Sequence, residues 1–403
     1  MTRTAAESNY FLPSGVMGLL MRAERHIRLT AEPISFRKKG GGERDSEAIE
    51  TNILTGGRGF SSMTSQYGHH EAQQALPYPG SITDVPGIRL GHAQDEAALT
   101  GCTVIMAEEG AVCGVDVRGS APGTRETELL QPTAMVPHVH AICLSGGSAF
   151  GLEAAHGVMR CLQERGIGLD VGVGRVPIVP GAILFDLAIG RSDVTPTAAM
   201  GYAAAASASS SPPAQGNAGA GMGATVGKYA GPERAMKGGF GTASVRLPSG
   251  LVIGAAVAVN AVGEIRHPGH GGTAAGARGD EPGSFLAPLR YLSGLDKPFA
   301  GMKPGTNTTI AAVACNANLT KTEMNKVAEM AHNGLARTIF PVHTMFDGDT
   351  VFAMTTGGVD ASVDLAGMWV AETLAYAIIN AVTAAESAGG VPAARDWTAQ
   401  PPQ

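Results

Sequence analysis

The hydrophobic positions beyond residue 80 fall into short apolar runs separated by glycine-rich or polar turns, which is typical of a globular chain. The first two runs bracket a Glu-Glu-Gly turn, which predicts two separate strands. Runs of strand length predict β-strands at residues 103–106, 112–117, 140–144, 183–187, 251–259, 311–315 and 351–354.

Other segments repeat apolar residues at helical spacing. One helix is predicted over 152–162, after a Ser-Gly-Gly-Ser turn, and an alanine-rich helix within 181–206. Thr320 and Glu323 form a capping box ahead of an amphipathic helix, and a last helix is predicted at about 368–386. Buried strands that alternate with helices predict a layered α/β or α+β core.

The first 78 residues differ from the rest. They contain Arg37-Lys38-Lys39 and then serine- and glutamine-rich sequence without a sustained period, which predicts a poorly ordered extension over 1–78. An upstream start chosen in error would look the same, with Met63 as a later start. Residues 79–403 are predicted to form one domain, in which 266–300 is a long connection rich in Gly, Pro and His.

Composition narrows the possible partners. Net charge is −6 and no long basic block occurs, so nucleic acid is not an expected partner. No uninterrupted apolar run reaches the length of a membrane span, and a cleavable signal sequence is not clearly present, so a cytoplasmic protein is expected. The 5 cysteines form no CxxC pair, which argues against a disulfide framework or a zinc cage and fits a reducing compartment.

The stretch from Gly305 to Cys315 passes from small turn-forming residues into an apolar run. Thr308 follows Asn307 at the start of that run. In one interpretation Thr308 is an ordinary strand residue with a satisfied hydroxyl. In the other, the chain is cut between Asn307 and Thr308, and Thr308 gains both a nucleophilic hydroxyl and a free α-amine that activates it.

Glycine-rich sequence at 216–228 suggests a nucleotide site but does not fit one. The position five before Gly227 is Met222, and Lys228 is followed by Tyr229, so the spacing of a P-loop is absent. Loop sequence stands where a dinucleotide fingerprint needs a strand. Lys228 itself is either a solvated side chain or an interior cation.

Other polar residues carry weaker signals. Asp347-Gly348-Asp349 precedes a strand and is either a solvated turn or a carboxylate pair aimed into one cavity. Asn260 ends a buried strand and is either a structural cap or an oxyanion donor. His267 and His270 lack partners that would make a metal site, so no metal is predicted.

Residues 81–357 together resemble the self-cleaving N-terminal-nucleophile aminopeptidases and amidohydrolases of peptidase family S58. That family includes L-aminopeptidase/D-esterases, β-aminopeptidases and nylon-oligomer endohydrolases. The matching motifs follow in one order along the chain: Thr83-Asp84-Val85-Pro86-Gly87, Arg118-Gly119-Ser120-Ala121-Pro122-Gly123-Thr124-Arg125-Glu126-Thr127, Ser145-Gly146-Gly147-Ser148-Ala149-Phe150-Gly151, Gly227-Lys228, Asn260-Ala261-Val262-Gly263, Asn307-Thr308-Thr309 and His343-Thr344-Met345-Phe346-Asp347-Gly348-Asp349.

The resemblance implies an α+β protein with the Ntn-hydrolase-like four-layer αββα sandwich. It implies a precursor that cuts itself into an α chain ending at Asn307 and a β chain of residues 308–403. Thr308 would be the nucleophile and its α-amine the base, and Asn260 would supply the oxyanion donor. Lys228, Asp347 and Asp349 would complete the catalytic set, with no cofactor. Family members are commonly tetramers, so a dimer of dimers is expected.

Three positions depart from the family pattern. Phe150 stands where relatives often have Tyr, and Asn316 and Asn333 each replace a common Asp. In addition, Ser148, Phe150 and Asn316 are predicted to take part in substrate binding. The whole pattern predicts an amide hydrolase that acts on small peptides or on ω-amino-acid oligomers of the nylon type. An acyltransferase with the same Thr308 acyl-enzyme and an uncleaved, non-enzymatic binding homologue remain as alternatives.

Overall fold

The structure is a computed structural model that describes residues 78–300, 302–303 and 305–398. Apart from Tyr78, the predicted N-terminal extension lies outside the described residues. The strands, in chain order, are β1 (Ile88–Asp95), β2 (Thr100–Val117), β3 (Thr124–Arg125), β4 (His138–Ser145), β5 (Leu169–Asp170), β6 (Arg175–Val176), β7 (Gly181–Ile183), β8 (Thr225–Val226), β9 (Met236–Lys237), β10 (Gly239–Arg246), β11 (Val252–Asn260), β12 (Glu264–Arg266), β13 (Thr273–Ala275), β14 (Thr308–Ala317), β15 (Ile339–Phe340) and β16 (Thr350–Val359).

The α-helices are α1 (Ala154–Glu164), α2 (Ala198–Ala206), α3 (Pro288–Ser293), α4 (Lys321–Thr338), α5 (Val363–Ala384) and α6 (Ala394–Thr398). Short 3₁₀ helices occupy Ile82–Asp84, Glu128–Leu130, Ser148–Glu153, Gly219–Gly221, Lys228–Ala230 and Pro232–Arg234. The predicted long connection at 266–300 therefore contains β13 and α3. The capping box at Thr320 and Glu323 is present at the start of α4.

The main sheet is a continuous hydrogen-bonded array in the order β10-β11-β14-β16-β2-β4-β7-β3, with β1 paired on β2. The first half of β2 pairs with β1 and β4, and its second half pairs with β16. The pairing register shifts between Met106 and Ala111. The two predicted strands at 103–106 and 112–117 are therefore one long, irregular strand, because its pairing with β4 resumes beyond the Glu-Glu-Gly segment.

Three hydrophobic cores lie on the two faces of this array. Successive side chains on a strand point to opposite faces. On β14, Val313 belongs to the core under α4 and α5, whereas Ile310 belongs to a central core between strands. On β2, Ile105 enters the central core and Val104 enters a third core under α1 and α2. Residues of β2 and β4 share the central core with residues of β11, β14 and β16, so the array folds over and its two halves pack as two sheets. The layers are thus helix, sheet, sheet and helix, which confirms the predicted αββα sandwich.

Small residues allow the helices to lie directly on the sheet. A Cβ atom at Gly241 of β10 would lie 2.0 Å from the carbonyl oxygen of Ala377 on α5, so only glycine fits there. β14 is buried on both faces, which explains why its sequence is a continuous apolar run without polar alternation.

Within the described residues, α5 is long and apolar enough to cross a membrane by length and composition alone, with a mean hydropathy of 1.4. In that window, 72% of the residues are buried inside the protein. Ala366, Leu374 and Ile378 on α5 pack in the core shared with β11 and β14. The helix therefore occupies the position of a core helix.

Candidate active site

Thr308 is the first residue of β14 and lies directly opposite Asn260, the last residue of β11. Both are buried, with 1% of Thr308 and none of Asn260 exposed. Residues directly opposite on antiparallel strands present their side chains on the same face. Ile310, on the same face of β14 as Thr308, belongs to the central core. The hydroxyl of Thr308 and the amide of Asn260 therefore lie together at the end of that core.

The peptide bond before Thr308 runs beside residues 347–349. The carbonyl oxygen of Asn307 accepts a hydrogen bond of 3.0 Å from the backbone amide of Gly348. The same oxygen also contacts the hydroxyl of Thr308. A Cβ on residue 348 would lie 2.9 Å from Thr308 Oγ1 and 2.6 Å from the carbonyl of Ala121, so this close approach requires glycine.

The side-chain amide of Asn260 has a defined orientation. Its Oδ1 accepts hydrogen bonds from Lys228 Nζ at 2.8 Å and from the backbone amide of Thr225 at 3.0 Å. Its Nδ2 donates to the carbonyl of Phe185 at 2.9 Å. Because an amide nitrogen carries two hydrogens, Nδ2 keeps one donor beyond the bond to Phe185.

Lys228 is the interior cation that the sequence left undecided. Its Nζ donates to Oδ1 and, at 3.1 Å, to the backbone carbonyl of Asn260. Burial lowers the pKa of Lys228 to about 7, against the opposing effect of the nearby Asp347 carboxylate. The ammonium can therefore lose its proton near neutral pH.

Asp347 and Asp349 are both buried and are held by different partners. Asp347 Oδ2 accepts from the amide of Thr344 at 3.0 Å and from its hydroxyl. Asp349 Oδ1 accepts from the amide of Thr309 at 2.7 Å. Burial and the nearby Asp349 charge raise the pKa of Asp347 to about 6. Asp347 thus changes charge within the range in which enzymes usually work.

A cavity of about 640 Å³ adjoins this cluster. Asn307 and Lys228 form part of its wall, while most of the remaining wall is apolar. Aromatic and aliphatic residues in that wall include Phe185, Ile189, Tyr229, Tyr291, Leu295, Phe299 and Met302. A mostly apolar cavity with a few convergent polar groups is the usual form of a small-molecule site.

The structure brings Thr308, Asn260, Lys228, Asp347 and Asp349 together, as the resemblance implies. Gly348 and Thr344 also contact this cluster, although neither was singled out as a site residue from the sequence. Their signal was their place in the segment 343–349, where Thr344 precedes Asp347 by three residues and Gly348 separates the two aspartates.

The residues assigned to substrate binding are placed differently. Asn316 lies near the other end of β14, roughly 25 Å from Thr308 at ~3.3 Å per residue. Its amide bonds the backbone of Val252 at 2.8 Å and of Gly250 at 3.2 Å. Asn316 therefore lies away from the residues around Thr308 and bonds the backbone near the start of β11, and its assignment to substrate binding stays a prediction. Ser148 and Phe150 lie on a 3₁₀ helix outside the cavity wall, and Phe150 is 70% exposed.

No group of three or more His, Cys, Asp and Glu residues is arranged to hold a metal ion in the part of the chain that the structure describes. The chemistry available at the cluster is that of a hydroxyl, an amide, an amine and two carboxylates.

The chain matches the model of peptidase family S58 over residues 80–395. It is 44% identical over 347 residues to an uncharacterized aminopeptidase of Mycobacterium tuberculosis, which covers 78% of this chain and 97% of that protein. It is also 35% identical over 278 residues to the 6-aminohexanoate-oligomer endohydrolase of Kocuria sp., covering 69% of this chain and 75% of that protein.

Two solved structures share the fold. A Burkholderia sp. β-aminopeptidase has a TM-score of 0.57 at 23% identity, over 80% of this chain and 95% of that chain. The L-aminopeptidase D-Ala-esterase/amidase of Ochrobactrum anthropi, described as a variant of the Ntn hydrolase fold, has a TM-score of 0.57 at 20% identity. That match covers 79% of this chain and 91% of the other. The fold is therefore this variant of the Ntn hydrolase fold.

Proposed function

Because the chain belongs to peptidase family S58, whose members are aminopeptidases and amide hydrolases, we propose that it cuts itself before Thr308 and then hydrolyses amides with that residue. The observation that carries the proposal is the contact between the Thr308 hydroxyl and the Asn307 carbonyl, opposite the amide of Gly348.

This geometry supports self-cleavage by the following steps. Thr308 Oγ1 attacks the carbonyl carbon of Asn307, and the Gly348 amide donates to the oxygen on which negative charge develops. The C–N bond then breaks as an ester forms at Oγ1, and the proton that the hydroxyl gives up passes to the nitrogen of Thr308. Water hydrolyses the ester, which leaves a carboxylate on Asn307 and a free hydroxyl and amine on Thr308.

The same groups then act on a substrate amide. A free α-amine has a pKa of about 7.7–8.0, so it can accept the hydroxyl proton near neutral pH. The remaining donor of Asn260 Nδ2 stabilises the tetrahedral oxyanion, and Asp347 and Asp349 orient the new amine. Lys228 holds the Asn260 amide in its orientation and changes charge near pH 7. Water finally releases the acyl group from Thr308.

The cavity supports a substrate with an apolar chain. Asn307 forms part of its wall, so cleavage and withdrawal of the residues before Thr308 would open the nucleophile to it. Small peptides and linear ω-amino-acid oligomers both carry apolar chain segments that suit a mostly apolar cavity, and the Kocuria relative is named for the second class.

The test is denaturing electrophoresis of the purified full chain with amino-terminal sequencing. We expect two bands, the smaller of which begins Thr308-Thr309-Ile310. A single intact band under all conditions would overturn the proposal. Amino-acid p-nitroanilides, β-amino amides and 6-aminohexanoate oligomers, assayed on the cleaved protein, then separate the substrate classes.

A further inference from the structure

His343 makes two contacts with the same oxygen of Asp349. Its backbone amide donates to Asp349 Oδ2 at 3.1 Å, and its ring nitrogen Nδ1 lies 2.8 Å from that oxygen. The other oxygen of Asp349 accepts from the amide of Thr309. His343 and Thr309 therefore hold opposite sides of one carboxylate, next to the nucleophile.

The backbone at Asp349 is also held. The amides of Arg118 and Gly119 donate to its carbonyl oxygen at 3.0 and 3.3 Å. With the main chain held in this way, the orientation of the carboxylate depends on the groups that bond its two oxygens. Among those groups the ring of His343 is a side chain, whereas the amides of His343 and Thr309 belong to the backbone.

His343 adopts an unusual backbone conformation to make these contacts. Its φ is +56°, in the left-handed region that few residues other than glycine and asparagine occupy. Such a conformation is unfavourable for a residue with a side chain and persists only where the surroundings require it. The double contact with Asp349 is the feature that this conformation makes possible.

A second imidazole, that of His332, packs against the ring of His343. His332 on α4 is fully buried, and its ring packs edge-on against that of His343 with centroids 4.8 Å apart. His332 Nε2 lies 3.1 Å from the carbonyl of Asp116, which can only accept, so Nε2 carries the proton. Burial lowers the pKa of His332 to about 4, so this ring is neutral at pH 7.

Both rings keep a buried nitrogen with no hydrogen-bond partner among the described residues, Nε2 of His343 and Nδ1 of His332. Buried polar atoms of this kind are uncommon and call for a reason. Packing alone would be served as well by apolar side chains. The ring nitrogen of His343 that has a partner is Nδ1, which contacts the carboxylate of Asp349.

We propose that His343 is a positioning residue for the reaction at Thr308, which it serves by fixing the carboxylate of Asp349 toward the amino end of β14. The inference rests on the proposed function, since it concerns the same nucleophile. Without the Nδ1 contact, the carboxylate can rotate away from the amine of the cleaved chain. A displacement of about 1 Å in such a group can lower the rate by about 100-fold.

The test compares His343→Gly with His343→Asn in the full chain. Both residues tolerate positive φ, so neither variant adds backbone strain. Asparagine keeps a side-chain donor close to the place of Nδ1, whereas glycine removes it. We expect kcat of the glycine variant to fall by about 10- to 100-fold with KM nearly unchanged, and kcat of the asparagine variant to stay within about threefold of the original.

Imidazole added to the glycine variant supplies a readout that a purely structural role would not move. Because the His343 side chain is 18% exposed, free imidazole can reach the space that it leaves. We expect imidazole to restore part of kcat, and to speed self-cleavage if the glycine variant accumulates as precursor. Imidazole should not change the unmutated protein.

Two results would overturn the inference: wild-type kcat in the glycine variant, or equal losses in both variants without imidazole rescue. These outcomes are distinct from failure of the proposed function. In that case the unmutated chain itself would remain uncut at Thr308 and inactive, before any variant is compared.

Discussion

Thr308 and Asn260 stand directly opposite each other on β14 and β11, so one cross-strand pair supplies both the hydroxyl and the amide of the site. The spacing between them is set by the sheet, without any flexible loop. Sites built on strands are held more precisely than sites built on loops. Each side chain has its own proposed role, so substitutions of Thr308 and of Asn260 should have different effects.

Thr308→Ala should leave an intact, inactive chain, because the variant has no oxygen to attack the Asn307 carbonyl. Thr308→Ser is the matched control, since it keeps the hydroxyl and should still give two chains. Electrophoresis and an amide-hydrolysis assay measure both effects. Turnover by the alanine variant at the normal rate would contradict the assignment of the nucleophile.

Asn260→Ala should lower kcat by about 10²- to 10³-fold, because one oxyanion donor is lost. KM should change much less, since the donor acts mainly in the transition state. Steady-state kinetics on the cleaved protein provide the measurement.

Asn316→Ala is the control for that change, because Asn316 is also a buried amide next to β11 but lies far from Thr308. Its loss leaves the amide of Val252 and the carbonyl of Gly250 without partners, which should cost about 1–3 kcal/mol of stability. Its kcat per folded molecule should stay near that of the original. A large fall in kcat would restore Asn316 to the site.

The free energy of unfolding should rise from pH 7 to about pH 8, below the range in which the buried cysteine thiols, whose pKa values are raised by burial, oppose the effect. Burial lowers the pKa of Lys237 to about 7, against 10.5 for an ordinary lysine. Between these values this lysine is protonated in the unfolded chain and largely neutral in the folded one, so its contribution to stability increases with pH. Lys228 contributes in the same direction. Urea unfolding of Thr308→Ala, which stays a single chain, measures the slope.

Lys237→Met in the same background should make that rise shallower. Lys326→Met is the comparison, because Lys326 is an exposed residue on α4 and its loss should leave the slope unchanged. Equal slopes in all three proteins would show that Lys237 is not the source of the pH dependence.

Thr320→Ala should lower the stability by about 1 kcal/mol, because Thr320 closes the capping box at the start of α4. The melting temperature of the uncleaved background reports the loss. Activity per folded molecule should not change, since α4 begins beyond the far end of β14, the strand whose first residue is Thr308. A change in kcat without a change in melting temperature would contradict this view.

The strands and helices with clear periodicity could be predicted from the sequence, including β11, β14 and α4. The continuity of β2 could not, because it depends on pairing with β4 and β16, which are distant in the chain. Thr308 and the four polar residues around it were recognised as a set through the family motifs. The contacts of Asn316 could not be predicted, because an asparagine in an apolar strand does not show which backbone groups its amide will bond. The left-handed backbone of His343 has no signature in its residue type.

The order of the main sheet has a consequence for the product of self-cleavage. β14 and β16 would belong to the second chain, yet they lie between β11 and β2 of the first. The two chains would therefore be a heterodimer whose interface was completed during folding, before two molecules existed. Dilution should not separate them, and neither fragment made alone should fold, because each would present the open edge of an unfinished sheet.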